Sequence, residues 1–264
     1  MPRVPGEDRT TARTALPAAA LELVLTAVML FIVVTATRWL MGTVDPSAGG
    51  WWNTVPARLL ALAPIAGYTI TAIMLSPWGR RTGGHVNPAI TLAMWRYGRT
   101  PGRAVVPYVT AQLIGSVAGT AAGRIVWGPV VAGSAVDYAA VRPAPGWSWP
   151  AVAAVEALTM FVIVAVVGAG LRRPRGGAVL PWAVGTMIAT QIVAFGMRSG
   201  GVANPARQFG PALLSGVTGF LPAYLLAPLV GALAATVMIG LRAGRSTPFR
   251  DRAAQATTGG GSRE

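Results

Sequence analysis

One tripeptide occurs twice in this chain, at Asn87-Pro88-Ala89 and again 117 residues later at Asn204-Pro205-Ala206. Each copy follows a glycine-rich turn, Gly83-Gly84 before the first and Gly200-Gly201 before the second. Asn at a helix N-cap with Pro at the first helical position is a preferred start signal. The apolar stretch after each copy, about 87–97 and 204–214, is half of the roughly 20 residues needed to cross a bilayer. Non-helical backbone at membrane depth must be buried in protein or line a watery cavity. A doubled start of this kind in a membrane protein therefore points to a pore.

The rest of the chain is membrane helix. It is 53% hydrophobic and 11% charged, against about 25% charged in an ordinary soluble domain. Six stretches are long and apolar enough to span: 16–40, 55–78, 104–127, 149–171, 178–198 and 218–241. The expected organisation is an N-terminal tail 1–15, a channel domain 16–241 and a disordered C-terminal tail 242–264. Lys is absent, so all 22 basic residues are Arg. With both tails in the cytoplasm, 16 of them fall on the cytoplasmic side and 6 do not, as the positive-inside rule requires. The net charge of +14 thus reports membrane orientation and not nucleic-acid binding. The expectation is a multi-pass protein of the cell membrane, with the lipid bilayer and not a nucleic acid as its partner.

The two halves repeat, about 16–127 and 149–241. Ala111-Gln112-Leu113-Ile114-Gly115 matches Ala227-Pro228-Leu229-Val230-Gly231 at an offset of 116, and Glu22 matches Glu156 at 134. The first half is longer by about 17 residues between its Glu and its Asn, which fits an extended loop at 41–54. Three spans per half force the second half to insert upside down, an inverted repeat. The fold class is therefore all-α integral membrane, six transmembrane helices plus two half-helices that meet near the midplane. There the two Asn amides donate to one passing oxygen, and two positive helix ends repel cations.

Chemistry of other kinds finds no support. Cys is absent and His85 is the only histidine, so neither a metal centre nor a His-based triad is expected, and no cofactor. Glu22 and Glu156 lie in apolar spans. They either brace the broken loops by accepting backbone N–H groups or carry protons in a coupled transporter. His85 either lines a vestibule or bonds to loop backbone. Gly115, Gly119 and Gly231 suit close helix packing. Arg207, directly after the second tripeptide, stands at membrane depth, where a charge is functional or paired.

The segments 79–91 (GRRTGGHVNPAIT), 108–120 (YVTAQLIGSVAGT) and 199–213 (SGGVANPARQFGPAL), with the Glu22 and Glu156 spans, resemble the major intrinsic protein family of aquaporins and aquaglyceroporins. The resemblance covers nearly all of the chain between the tails. It implies an aquaporin-like homotetramer with one pore per subunit, Arg207 at the outer constriction, and a bracing role for both glutamates. Counting back without gaps along the family pattern puts the other filter positions at Gly67, Ile192 and Gly201, with Tyr68 entering the ring if the register shifts by one. Gly, Ile and Gly beside Arg make a wide ring, suited to water and glycerol-sized neutral solutes and to metalloid acids. The expected function is passive conduction of such solutes without protons or ions. The alternatives are a proton-coupled transporter using Glu22 or Glu156, and a non-conducting scaffold on the same fold. An enzyme is not expected.

Overall fold

The computed structural model describes residues 7–243. The segments 1–6 and 244–264, which hold part of the expected N-terminal tail and nearly all of the expected C-terminal one, lie outside the described residues. Helix α1 runs Glu7–Leu40, so the helix begins well before the expected start of the span at Leu16. It is followed by α2 (Val55–Leu75), α3 (Pro77–Thr82), α4 (Pro88–Arg96), α5 (Gly102–Trp127), α6 (Trp149–Gly170), α7 (Gly176–Phe195), α8 (Pro205–Ser215) and α9 (Leu221–Ala243). No strand occurs among the described residues. Six segments are long and apolar enough to cross a membrane: Leu16–Leu40, Val55–Leu75, Gly102–Ala132, Trp149–Gly170, Gly176–Phe195 and Leu221–Gly240. An even number of crossings puts Glu7 and Ala243 on one side, here named the terminal face.

Helix starts follow the local sequence. Thr54, Ser76, Asn87, Ser148 and Asn204 cap α2, α3, α4, α6 and α8 with side-chain oxygens, each with Pro in the first turn. These caps satisfy amide groups that would otherwise be orphaned in or near lipid. The extra length at 41–54 forms two short 3-10 turns, Pro46–Ala48 and Trp51–Asn53.

Packing repeats the sequence repeat. α1 lies along α5 and α6 along α9, while α2 and α7 pair across the two halves. The approach within each half is set by glycine. A Cβ on Gly119 would run into the Ala27 carbonyl of α1, and one on Gly231 into the Ala157 carbonyl of α6. Such contact between backbones is how helices associate where lipid competes for apolar side chains. The half-helices fill the remaining space, α4 against α9 and α8 against α5. Each therefore leans on a helix of the opposite half.

Candidate functional site

The chain enters the membrane twice by the same backbone path. Gly83, Gly84 and Val86 have φ of +95°, +57° and +40°; Gly200, Gly201 and Ala203 have +102°, +58° and +44°. Glycine adopts this region freely, but Val86 and Ala203 do not, and each is uphill by about 1–2 kcal/mol. Both carry a carbonyl and an amide that the site uses.

The amides go to the buried glutamates. Glu22 accepts from Val86 N at 2.8 Å, His85 N at 3.0 Å, the Thr82 hydroxyl at 2.6 Å and Gln112 Nε2 at 2.8 Å. Glu156 accepts from Ala203 N at 2.6 Å, Val202 N at 3.2 Å and the Ser199 hydroxyl at 2.9 Å. Both glutamates are fully buried and neither lines the cavity described below. Thr82 and Ser199 in turn accept from Gly84 N and Gly201 N. The Tyr108 and Tyr224 hydroxyls donate to the Thr82 and Ser199 carbonyls, at 3.3 and 2.5 Å. Tyr108/Tyr224 and Thr82/Ser199 were not singled out from sequence. The offsets of 116 and 117 residues that relate the 111–115 segment and the tripeptide to their second copies relate these pairs too.

The carbonyls go to the asparagines. Asn87 Nδ2 donates to Ala203 O at 3.1 Å, and Asn204 Nδ2 donates to Val86 O at 3.0 Å. Each Oδ1 caps its own half-helix, Asn87 at Ala89 N and Asn204 at Ala206 N. An amide nitrogen carries two hydrogens. One of each pair locks the two half-helices tip to tip, and the second remains for a ligand. Pro88, Ala89, Pro205 and Ala206 are buried in the first turns behind them.

Both asparagines line one cavity of about 740 Å³. Its wall includes Arg80, Met94, Leu171 and Gly177 at the terminal face and Val44, Asp137, Arg142 and Met197 at the opposite face. It therefore runs through the full thickness of the molecule. The sides are mostly apolar, with Ile70, Ile90, Val184 and Ile188 among them, and the loops at 83–87 and 200–204 bring polar groups to the middle of the passage. His85 lines the wall and is buried, with Nδ1 at 3.1 Å from the Thr91 hydroxyl. Its side chain thus bonds a hydroxyl and not loop backbone.

Of the four expected filter positions, Ile192, Gly201 and Arg207 line this cavity together. Arg207 Nη1 donates to Ala139 O at 2.7 Å. Gly67, expected beside them, does not line it. It sits where α2 crosses α7, and a Cβ there would strike the Gly185 carbonyl. Tyr68 does not line it either. Its ring stands beside Trp182, at 6.3 Å, with its hydroxyl 3.5 Å from that of Thr186, on the outer side of α2. The cavity-facing residues of α2 are Val55, Leu59, Leu62, Ala66, Ile70 and Met74, a helical stripe. A slip of one residue on a helix turns a side chain by about 100°, so Ala66 faces the cavity where Gly67 does not. Two further polar side chains pack beside Gly201 and Arg207. Gln191 Nε2 donates to Gly201 O at 3.1 Å. Gln208, fully buried, bonds both N and O of Val141.

Comparison with known proteins decides the identity of this arrangement. Residues 9–239 match the model of the family described as Major intrinsic protein. The chain belongs to the major intrinsic protein family. As a member of that family it is a membrane channel, not an enzyme. It is 35% identical over 197 residues to a probable aquaporin AqpM of Archaeoglobus fulgidus, covering 71% of this chain and 74% of that protein. It is 35% identical over 223 residues to aquaporin TIP4-4 of Zea mays, covering 83% and 84%. The fold matches the X-ray structure of the aquaglyceroporin from Plasmodium falciparum with a TM-score of 0.68 at 18% identity, over 84% of this chain and 94% of that one.

Proposed function

We propose that this channel passively conducts water and small uncharged solutes up to glycerol size or somewhat larger, metalloid acids included, and excludes protons and ions. The observation that carries the reading is the pair of cross-bonded asparagines on a single cavity reaching both faces. Free N–H groups from both sides orient a solute oxygen at the centre, which interrupts a hydrogen-bonded proton wire. The positive ends of α4 and α8 meet there and disfavour cations. Asn87 and Asn204 are the central donors, with Pro88, Ala89, Pro205 and Ala206 setting their presentation.

The selective ring is formed by Ala66, Ile192, Gly201 and Arg207. Three of its members are small or apolar and none is aromatic, which favours width over strict water selection. Arg207 supplies donors to a solute oxygen and rejects cations by its charge. Glu22 and Glu156 hold the loops in shape; their oxygens are taken up by loop donors and lie off the cavity, so nothing favours a proton-carrying role. The subunit works as a homotetramer in the cell membrane, with both chain ends in the cytoplasm, an orientation that the arginine distribution supports. Stopped-flow measurement of water, glycerol, urea and boric acid in the same proteoliposomes tests the reading. Fast flux of water and glycerol, with low temperature dependence and no proton dependence, is expected. Flux equal to that of empty liposomes from correctly folded protein would overturn it.

A further inference from the structure

The loop joining α5 to α6 contains the most unusual backbone of the described chain. Asp137, Tyr138 and Ala139 are three consecutive non-glycine residues with positive φ, +44°, +56° and +63°. Each is uphill for an L-residue, and such runs persist only where surrounding contacts over-determine them. The contacts are present. Asp137 N bonds Gly133 O at 2.8 Å, Ala139 N bonds Val136 O at 2.7 Å and Ala140 N bonds Asp137 O at 2.8 Å. Val136 and Ala139 are buried against Val33, Val34 and Val131. The Asp137 carboxylate is gripped by two nitrogens of Arg142, Nε at 3.0 Å and Nη2 at 2.5 Å. This is the one ion pair among the described residues.

The product of this left-handed turn is a carbonyl pointed at Arg207. Ala139 O accepts from Arg207 Nη1 at 2.7 Å, the shorter of the two side-chain hydrogen bonds that Arg207 makes; the other reaches Gln208 at 3.4 Å. Asp137, Ala139, Arg142 and Arg207 all line the cavity near its opposite-face mouth. We propose that the Asp137–Arg142 pair is a positioning clamp. It holds the turn in its left-handed form, so that Ala139 keeps the Arg207 guanidinium against the wall and the ring open to solutes larger than water. With the clamp gone the turn relaxes, the carbonyl withdraws, and the guanidinium swings into the passage. The inference rests on the reading above that Arg207 stands in the selective ring.

The test is the glycerol-to-water flux ratio of the full-length chain in proteoliposomes. Asp137→Asn and Arg142→Gln should each lower the ratio about two- to fivefold, the range set by a partly exposed ion pair. The double variant should match either single one, because both remove the same contact. Asp137→Gly removes the carboxylate but accepts positive φ without strain, so it should lower the ratio less than Asp137→Asn does. In an Arg207→Ala background, itself shifted from wild type, removal of the clamp should change nothing further. If Arg207→Ala shifts the ratio but the folded clamp variants leave it unchanged or raise it, the clamp is wrong and the ring stands. A further shift by clamp variants in the Arg207→Ala background also overturns the clamp. If Arg207→Ala itself leaves the ratio unchanged, both the ring and the clamp fall.

Discussion

The two loops that dip into the membrane share a backbone and differ in side chains. At matched positions both have a buried glutamate, a hydroxyl that bridges it to the glycine turn, a tyrosine that ties down that hydroxyl residue's carbonyl, and an asparagine that reaches across to the other half. Four other matched positions diverge. His85 corresponds to Val202, Ile90 to Arg207, Thr91 to Gln208 and Gln112 to Pro228. The first loop is thus wired inward, with Gln112 joining Glu22 to Thr91 and Thr91 joining His85. The second is wired outward, with Arg207 and Gln208 reaching the loop at 139–141. The shared set builds a passage, and the divergent set makes its two ends different.

The largest effect expected from that contrast is on folding. Glu22→Ala strands four donors and Glu156→Ala three, and each unsatisfied buried donor costs about 1–3 kcal/mol. Both variants should lose folded protein, by several kcal/mol. Glu22→Ala should be the worse, read as the yield of monodisperse protein in detergent and its midpoint of thermal unfolding. If Glu156→Ala is equally or more damaging, donor count is the wrong measure of how the two loops differ.

The seam between the halves should respond symmetrically. A Cβ on Gly67 meets the Gly185 carbonyl, and one on Gly185 meets Gly67 and the Thr71 hydroxyl. Gly67→Ala and Gly185→Ala should each destabilise by about 1–3 kcal/mol with little change in the glycerol-to-water ratio. Ala66→Phe, one residue away, should do the reverse and reduce glycerol flux far more than water flux. A change in selectivity from Gly67→Ala would return that residue to the ring.

Arg207→Ala removes the clearest difference between the half-helices. Leak of cations and of solutes larger than glycerol should rise about tenfold if the guanidinium adds about 1.4 kcal/mol to the barrier they meet. Ile90→Ala, at the matched place in the first half, should leave that leak near wild type. Equal effects at the two positions, measured by ion and solute flux in the same vesicles, would mean that selectivity is not concentrated at the opposite-face end.

Most of the fold was legible because its determinants are local. Span length, the Asn-Pro start and the glycine turn each act within a few residues, and the repeat offsets join them across the halves. The stripe on α2 was not legible to the residue. Gly67 and Ala66 are neighbours, both small, and only the rotation of α2 against α7 decides which one faces the cavity. Tyr108 and Tyr224 were hidden for another reason. An aromatic in an apolar span reads as packing until the carbonyl it bonds is seen, and that carbonyl lies 26 residues away in one half and 25 in the other. The turn at 137–139 has no glycine to mark it, so its left-handed path carries no composition signal.

The smallest difference between the loops lies in the two residues with positive φ. Replacing either with glycine relieves about 1–2 kcal/mol of left-handed strain and adds about 0.5–1 kcal/mol of unfolded-state entropy. For Ala203 these nearly cancel, with one buried methyl lost as well, so Ala203→Gly should change stability by less than about 1 kcal/mol. Val86 is fully buried in the central cluster with Met29, Ala89 and Met160. Glycine there removes a whole isopropyl group, worth about 1.5–3 kcal/mol of burial, and should be clearly destabilising. Thermal unfolding of the two variants side by side checks this. If they are equivalent, Val86 contributes only its backbone, and the first loop, like the second, is held by its hydrogen bonds and not by side-chain packing.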